Sequence, residues 1–407
     1  MRIVIVFLAL LAGLAPALAQ GNVEAGFRPF LESEIWPQAR AQGVSRATFE
    51  AALGRVRPNL RLPDLVMPGQ GAPVAENQHQ AEFQSPASYF AENQVAGLAS
   101  RGRRLLQEHA AVIARIEQRY GVPGPIIVAV WGRESAFGSA SIPHDAFEVL
   151  ATKAYLARRK EMFRAELVAA LRIVEEGHLR PSEMKSSWAG ALGQPQFMPT
   201  KFLELAVDFD GDGRKDIWNS VPDTLASIAN YLADAGWVAR RDWGFEANVP
   251  ASVSCALEGP DRGRPIADFV SAGVARVSGR PFPPHEARAT GHLLMPAGRF
   301  GPAFIATPNF YVIKAYNNSD LYALFIGHVA DRMRGAGPFA GGWASSDRMT
   351  RGDVARMQER MVSAGYDVGG VDGLAGFKTR RSIGQVEERA GLAATCWPNR
   401  AAAGRLG

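Results

Sequence analysis

Apolar residues recur at helical spacing through most of the chain. Phe27 to Gln42 reads as a helix, and a proline-rich stretch follows it to about residue 75. From Pro86 onward the pattern is helical again. Leu105, Leu106, Val112, Ile113 and Ile116 form a stripe that ends at Gly121, and Pro123 and Pro125 open the next helix. Helices are predicted over Ala146–Arg159, Phe163–Glu176, Pro199–Val207 and Asp223–Ala235. Between Phe245 and Pro308 short apolar runs alternate with Gly and Pro, which predicts strands and loops. A further helix follows Ser319 through Leu324, Phe325 and Val329.

Gly335 to Ser346 is rich in Gly, Ala and Ser, the composition of a linker. Beyond it, Thr350 can cap a helix whose apolar face is Val354, Met357 and Met361. A turn from Gly365 to Gly376 leads to a second helix carrying Ile383 and Val386. About fifty residues bury only a small core, so this is an accessory module. The chain thus divides into a signal peptide (1–19), a main domain (20–334), a linker (335–348) and a small helical module (349–398).

The signal peptide rests on Arg2, the uncharged apolar run Ile3 to Leu18, and the small-x-small site Ala17-Leu18-Ala19. The run is short for a membrane span. No Cys follows the cleavage site, so no lipid anchor is expected there, and the short run with its Ala-rich end fits cleavage better than a membrane anchor. Export to the periplasm follows, and it permits Cys255 and Cys396 to pair, although the sequence leaves their redox state open. The 407 residues carry a formal net charge of +5, which suits a polyanionic partner without choosing one. No nucleic-acid motif is present, so no nucleic acid is expected as partner, and the seven His show no metal-site spacing.

The chemistry concentrates in Ile126-Ile127-Val128-Ala129-Val130-Trp131-Gly132-Arg133-Glu134-Ser135. Ile126, Val130 and Glu134 share one helix face, so Glu134 continues a stripe due for burial. Gly132 and Gly138 flank it, which predicts that the helix ends there. Burial disfavours the charged carboxyl and suits it to general-acid work near neutral pH. The competing reading is a helix-end Glu paired with Arg133 or another Arg. Asp145, Glu148 and Glu161 are the nearest candidates for a second acid of the kind most glycosidases use.

Tyr120-Gly121-Val122-Pro123 followed by Trp131-Gly132-Arg133-Glu134-Ser135-x-Phe137-Gly138 resembles the catalytic segment of the B-type lytic murein transglycosylases. Ser187-Trp188-Ala189-Gly190-Ala191-Leu192-Gly193-Gln194-Pro195-Gln196-Phe197-Met198-Pro199-Thr200 is a second matching block. Val207 to Gly213, Ser227 to Leu232, and Asn309 through Tyr322 are the others, in order across roughly residues 25–335. The resemblance implies a mainly α, lysozyme-like α+β catalytic domain that acts on peptidoglycan glycan strands. Cell-wall synthesis or remodelling proteins are further candidate partners.

The resemblance also implies a mechanism. Glu134 protonates the oxygen between N-acetylmuramic acid and N-acetylglucosamine. As a base it then takes the C6 hydroxyl proton of the same muramic acid, which closes a 1,6-anhydro ring. The nucleophile is intramolecular, so no second protein carboxylate and no catalytic cofactor are required. Ser187, Gln196, Asn230 and Asn317 are expected to hydrogen-bond sugar groups. Tyr89, Tyr231, Tyr316 and Tyr322 are expected to offer ring faces and hydroxyls. A hydrolytic muramidase and a non-catalytic wall-binding protein are the alternatives.

Asp208-x-Asp210-x-Asp212-Gly213-x-x-Asp216 has the oxygen spacing of the first part of an EF-hand, with Arg214 placed to ligate through its carbonyl. Asn219 stands where the bidentate Glu belongs. The resemblance implies a longer loop closed by Asp223, and a structural rather than catalytic Ca²⁺. Met357-Gln358, Met361, Gly365-Tyr366 and Val371-Asp372-Gly373-x-x-Gly376-x-x-Thr379-Arg380 in turn resemble a small three-helix peptidoglycan-binding domain.

Overall fold

The computed structural model describes residues 23–67, 86–344 and 349–406; the expected signal peptide lies outside the described residues. Two compact units emerge. One takes residues 23–67 and 131–230, the other residues 86–130 and 231–406 apart from 345–348. The division falls within the helices Gly124–Ser135 and Val221–Asp234.

The first unit is helical. Its opening helix spans 23–41 and contains a π-helical turn, Leu31–Ile35, in which both Leu31 and Ile35 are buried. Arg46–Leu53, Ala146–Leu156 and Lys160–Glu175 pack with it, and Pro199–Leu205 packs on Lys160–Glu175. Phe49, Phe147, Leu167, Leu171 and Phe202 are buried among them. Helix Ala146–Leu156 is almost wholly buried, which fits its continuous apolar text. Asp145 caps it, accepting from the amides of Phe147 and Glu148 at 2.9 and 3.0 Å. A short antiparallel ribbon pairs His144–Asp145 with Lys185–Ser186.

The second unit combines helices with a sheet. Gly121, with φ of 70°, ends helix Ala110–Tyr120 as the stripe predicts. The region of short apolar runs forms a five-stranded antiparallel sheet. Its order is Arg264–Pro265, Thr290–Leu294, Ala303–Ala306, Gly244–Asn248, Ala275–Arg276. Phe245 pairs with Ile305, and Ile305 with Leu293 on its other side. Helices Pro308–Asn317 and Asp320–Met333 follow, the latter buried along most of its length.

The C-terminal module holds helices Arg351–Ser363, Phe377–Arg389 and Arg400–Ala403. Thr350 caps the first through a capping box with Asp353. Met357, Met361, Val368, Ile383 and Val386 make the small core. The module belongs to the second unit and is fastened to it at several points. Cys255 and Cys396 form a disulfide, with Cα atoms 6.1 Å apart. Arg380, 3% exposed, donates to Glu258 at 2.6 and 2.9 Å, to Asp320 at 3.1 Å and to the Ala375 carbonyl at 2.7 Å. Arg381 pairs with Asp261 at 2.8 Å.

The expected linker differs from its composition in one respect. Residues 335–344 are docked rather than extended into solvent. Phe339 stacks on His328 with ring centroids 3.8 Å apart, and Trp343 stacks on Phe90 at 5.5 Å. The amides of Ala340 and Gly341 donate to Glu246 at 3.1 and 2.7 Å, and Ala344 donates to the Phe300 carbonyl at 2.7 Å. Two aromatic anchors outweigh the Gly and Ala between them.

Candidate active site

Helix Gly124–Ser135 is buried from Ile126 to Gly132, and Glu134 stands half-buried in its last turn. The backbone just past the helix is unusual. Ala136, Phe137 and Gly138 all have positive φ, at 48°, 58° and 75°. Two consecutive residues with Cβ atoms in the left-handed region cost free energy, and such strain gathers at functional sites. Three contacts hold it. The Phe137 ring folds back onto Gly132, where a Cβ would meet it at 2.6 Å, and it lies edge-on to Trp131. Ser135 Oγ accepts from the Gly138 amide at 3.0 Å and donates to the Trp131 carbonyl at 3.2 Å.

The third contact reaches the second sequence block. Trp131 Nε1 donates to Gln194 Oε1 at 2.7 Å, and Gln194 Nε2 donates to the Trp218 carbonyl at 2.7 Å. A Cβ at Gly138 would meet that same Gln194 Oε1 at 2.4 Å. The loop carrying Ser187 and Gln196 is therefore pinned to the end of the Glu134 helix. The loop is tight in itself. Leu192 and Phe197 exchange backbone bonds at 2.7 and 3.1 Å, and Gly193 (φ 60°) packs against Ile217. Ser187 Oγ accepts from the Ala191 amide at 3.2 Å. Gln196 takes φ of 56° and donates to the Gly193 carbonyl at 2.8 Å. Both side chains are half-buried, as is Asn230, which donates to the Leu205 carbonyl at 2.9 Å.

In the second unit three of the expected tyrosines form one cluster. The rings of Tyr231 and Tyr316 lie 4.6 Å apart, and Tyr316 stacks on Tyr322 at 6.3 Å with nearly parallel planes. The Tyr231 hydroxyl donates to the Ala315 carbonyl at 3.0 Å. Tyr231 and Tyr316 keep part of their surface open, and Asn317 is exposed at the end of its helix. Tyr322 is 1% exposed and Tyr89 is 2% exposed. Neither offers a ring face to a sugar, which corrects that expectation. Tyr322 backs Tyr316, while Tyr89 packs edge-on against Phe325 in a separate aromatic group with Phe90. Helical spacing cannot distinguish a covered tyrosine from an open one.

The acidic loop brings three carboxylates together. Ligand oxygens of Asp208, Asp210 and Asp212 lie within 4.8 Å of one another. Asp216 and Asp223 lie outside that group. Asp216 accepts from the amides of Trp218 and Asn219, both at 2.9 Å. Asp223 is buried and accepts from the amides of Phe209, Asp210 and Asp216 at 2.8, 3.3 and 2.9 Å. Burial pushes its carboxyl above the usual range. Asp223 thus closes the loop through backbone amides. Arg214 donates its amide to Asp212 at 2.8 Å.

Two further residues of the site carry no local sign of their roles in the sequence. Gln194 was legible only as part of a block; its bond to Trp131 needs the fold. Trp188 adjoins Ser187 and is 44% exposed, with the Lys153 ammonium 4.9 Å from its ring centroid. This large exposed aromatic beside a candidate sugar contact presents a flat ring face.

Residues 26–331 match the transglycosylase SLT domain family. Membrane-bound lytic murein transglycosylase B of Escherichia coli K12 is 32% identical over 220 residues, which is 54% of this chain and 59% of that protein. The chain therefore spans less than two thirds of that relative's length. SltB3 of Pseudomonas aeruginosa, crystallised with NAG-NAM-pentapeptide, is 37% identical with a TM-score of 0.83. That match covers 94% of this chain and 99% of the other, so it extends past residues 26–331. Escherichia coli lytic transglycosylase Slt35 in complex with calcium is 25% identical, covers 77% of this chain and 92% of its own, and has a TM-score of 0.57.

Proposed function

Because the chain belongs to the transglycosylase SLT domain family, we propose that it is a peptidoglycan lytic transglycosylase with Glu134 as acid and then base. It cleaves the β-1,4 bond between N-acetylmuramic acid and N-acetylglucosamine and leaves 1,6-anhydro-muramic ends. The observation that carries the reading is the placement of Glu134. Glu134 stands half-buried in the last turn of a buried apolar helix, and the strained turn just past it is locked to the Ser187–Gln196 loop through Trp131 and Gln194. A site built in this way holds one proton-transfer group in a fixed position, which general acid–base work requires.

Ser187, Gln196, Asn230 and Asn317 supply hydrogen bonds to the strand. Tyr231, Tyr316 and Trp188 supply ring surfaces. Tyr322 acts through Tyr316, and Tyr89 through the packing of helix Asp320–Met333. Solved relatives carrying wall fragments support peptidoglycan strands as the substrate. A wall substrate supports a location outside the cytoplasm, and the expected signal peptide over residues 1–19 supports export to the periplasm. Among the described residues no helix is long and apolar enough to cross a membrane.

Asp208, Asp210 and Asp212 fit a hard cation, with oxygen donors only and the three carboxylates already converging. A bound Ca²⁺, with the Arg214 carbonyl as a further donor, would neutralise the loop and stiffen it. It supplies no step of the reaction. The C-terminal module is read as a peptidoglycan-binding unit. The test is mass spectrometry of sacculi digested by the mature protein. Products ending in 1,6-anhydro-muramic acid, one water lighter than hydrolysis products, are expected. Reducing ends instead would overturn the mechanism.

A further inference from the structure

Helix Ala146–Leu156 buries one full charge. Lys153 is 1% exposed near the end of that helix. Its ammonium donates to the Pro63 carbonyl at 3.2 Å. Two rings flank it, with the Phe163 centroid 5.3 Å away and the Trp188 centroid 4.9 Å away. Among the described residues no carboxylate forms an ion pair with it, which is rare for a buried lysine. Burial pushes the ammonium below its usual range, with Asp64 opposing and Arg159 adding to the effect. A buried charge costs free energy that its partners must offset. A methionine of similar length would fill the same space without that cost, so packing alone does not account for the charge.

The ammonium joins three segments of the first unit. The segment around Pro63 is strapped along the helix. There the Asn59 amide donates to Thr152 Oγ1 at 2.9 Å, and the Val66 amide donates to the Leu156 carbonyl at 2.7 Å. Phe163 belongs to helix Lys160–Glu175 and is buried. Trp188 belongs to the loop that carries Ser187 and Gln196. In that loop the Gly190 amide donates to the Ser187 carbonyl at 2.9 Å and the Ser187 amide to the Ala191 carbonyl at 2.8 Å, a tight turn with Trp188 inside it. Gly190, with φ of 89°, lies against Leu150 of the same helix, and a Cβ there would meet Leu150 Cδ2 at 2.6 Å. The turn fixes the Trp188 backbone. The strap and Phe163 fix the ammonium, and the ammonium holds the indole. Trp188 nevertheless leaves 44% of its surface open, next to Ser187.

An exposed indole that must be ordered when a ligand arrives costs binding free energy, and one ordered beforehand does not. A cation over an aromatic ring grips it most strongly where water is excluded, as it is around Lys153. A ring held in this way is a ready stacking surface for the C–H face of a pyranose. We infer that Lys153 is a positioning residue for the glycan strand, its ammonium holding Trp188 as a preformed sugar platform beside Ser187. Lys153 acts through the indole and touches no sugar itself. The inference rests on the peptidoglycan reading for its ligand.

The test measures binding and turnover of purified soluble glycan strands by the full mature chain. In the Glu134→Gln background, Lys153→Met keeps the stem and removes the charge. It should weaken glycan binding by about three- to tenfold in calorimetry, the scale of one desolvated cation–π contact, at an unchanged or higher melting temperature. Trp188→Leu should weaken binding at least as much, and adding Lys153→Met to it should weaken binding no further. With Glu134 intact, Lys153→Met should raise KM by the same factor and leave kcat unchanged. A lysine that merely supports the fold would instead lower the melting temperature and kcat together. Lys153→Gln keeps a donor for the Pro63 carbonyl, should behave as Lys153→Met does, and replaces it should that variant not fold. Full-affinity binding by a folded Lys153 variant would overturn the inference, as would equal weakening with and without Trp188. A Glu134→Gln chain that binds no glycan would overturn both the inference and the peptidoglycan reading. If the intact chain yields reducing ends while Lys153 and Trp188 remain coupled in binding, the transglycosylase mechanism falls and this assignment stands.

Discussion

Trp131 and Gln194 meet through a 2.7 Å hydrogen bond that joins the end of the Glu134 helix to the loop bearing Ser187 and Gln196. Both partners are buried, and Gln194 commits its amide nitrogen to the Trp218 carbonyl. Gln194→Leu strands the indole N–H and a carbonyl, at roughly 1–3 kcal/mol for an unsatisfied buried group. Gly138→Ala should be as harmful, because it adds a Cβ 2.4 Å from Gln194 Oε1 at a φ of 75°. Both variants should melt several degrees lower and turn over at least tenfold more slowly. Calorimetry and initial rates on sacculi check this, and a Gln194→Leu enzyme with normal turnover would detach this bond from catalysis.

Glu134→Gln keeps the shape and removes the titrating group. Positioned acid–base groups contribute about 10²–10⁴-fold, and here one residue serves both steps. Turnover should fall by at least that factor while wall binding in a pull-down stays intact. Retained turnover in the folded variant would move the catalytic role elsewhere.

His328 is buried under Phe339, and burial pushes its pKa down to about 4, with Arg332 adding to the effect and Glu92 opposing it. The unfolded chain then binds a proton near 6.5 that the folded chain refuses until about 4. Stability is therefore full above 6.5 and is lost as the pH falls through that window, by about 3 kcal/mol at most. Burial also pushes Asp331 up to about 6, which works in the opposite sense between the ordinary Asp value and 6. Comparing melting at pH 7.5 and 5 in wild type and His328→Phe isolates the histidine. The variant should lose much of the downward slope; an unchanged slope would assign it to other groups.

The Cys255–Cys396 bond spans 141 positions. Closing so long a loop constrains the unfolded chain by roughly 4–5 kcal/mol in the chain-entropy account, and native-state effects commonly reduce this. Replacing both cysteines by Ala should lower stability by about 2–5 kcal/mol and open the segment around residue 395 to protease. Equal proteolysis of the two proteins would make the bond incidental.

Chelation with EDTA should lower the melting temperature, and Ca²⁺ should restore it. Asp210→Asn should blunt the response, because it removes one of three converging carboxylates. A melting curve indifferent to both would remove the cation from the account.

Much of this was legible in the sequence, and for a clear reason. The helices around Ile113, Leu167 and Phe325 carry strong periodicity, and Gly121 and Thr350 mark ends by local chemistry. What escaped depended on contacts distant in sequence. Phe339 and Trp343 read as part of a linker because their partners, His328 and Phe90, carry no local signal. Tyr322 and Tyr231 look alike in text, yet one is sealed and the other partly open. Asp223 fits a ligand spacing but turns its oxygens to amides. Arg380 sits in a recognisable motif, and nothing local announces that it holds Glu258, 122 positions away.

The disulfide also sets an order of events. Cys255 precedes its partner by 141 positions, so it stays a thiol until Cys396 has been made. The bond can form only after the helices Asp320–Met333 and Phe377–Arg389 have been delivered. A chain stalled or clipped before Cys396 carries an unpaired sulfur and lacks the guanidinium clasp if it also ends before Arg380. Oxidation at this one pair is thus a chemical receipt for a chain made past residue 396, readable as the presence or absence of a single reactive thiol.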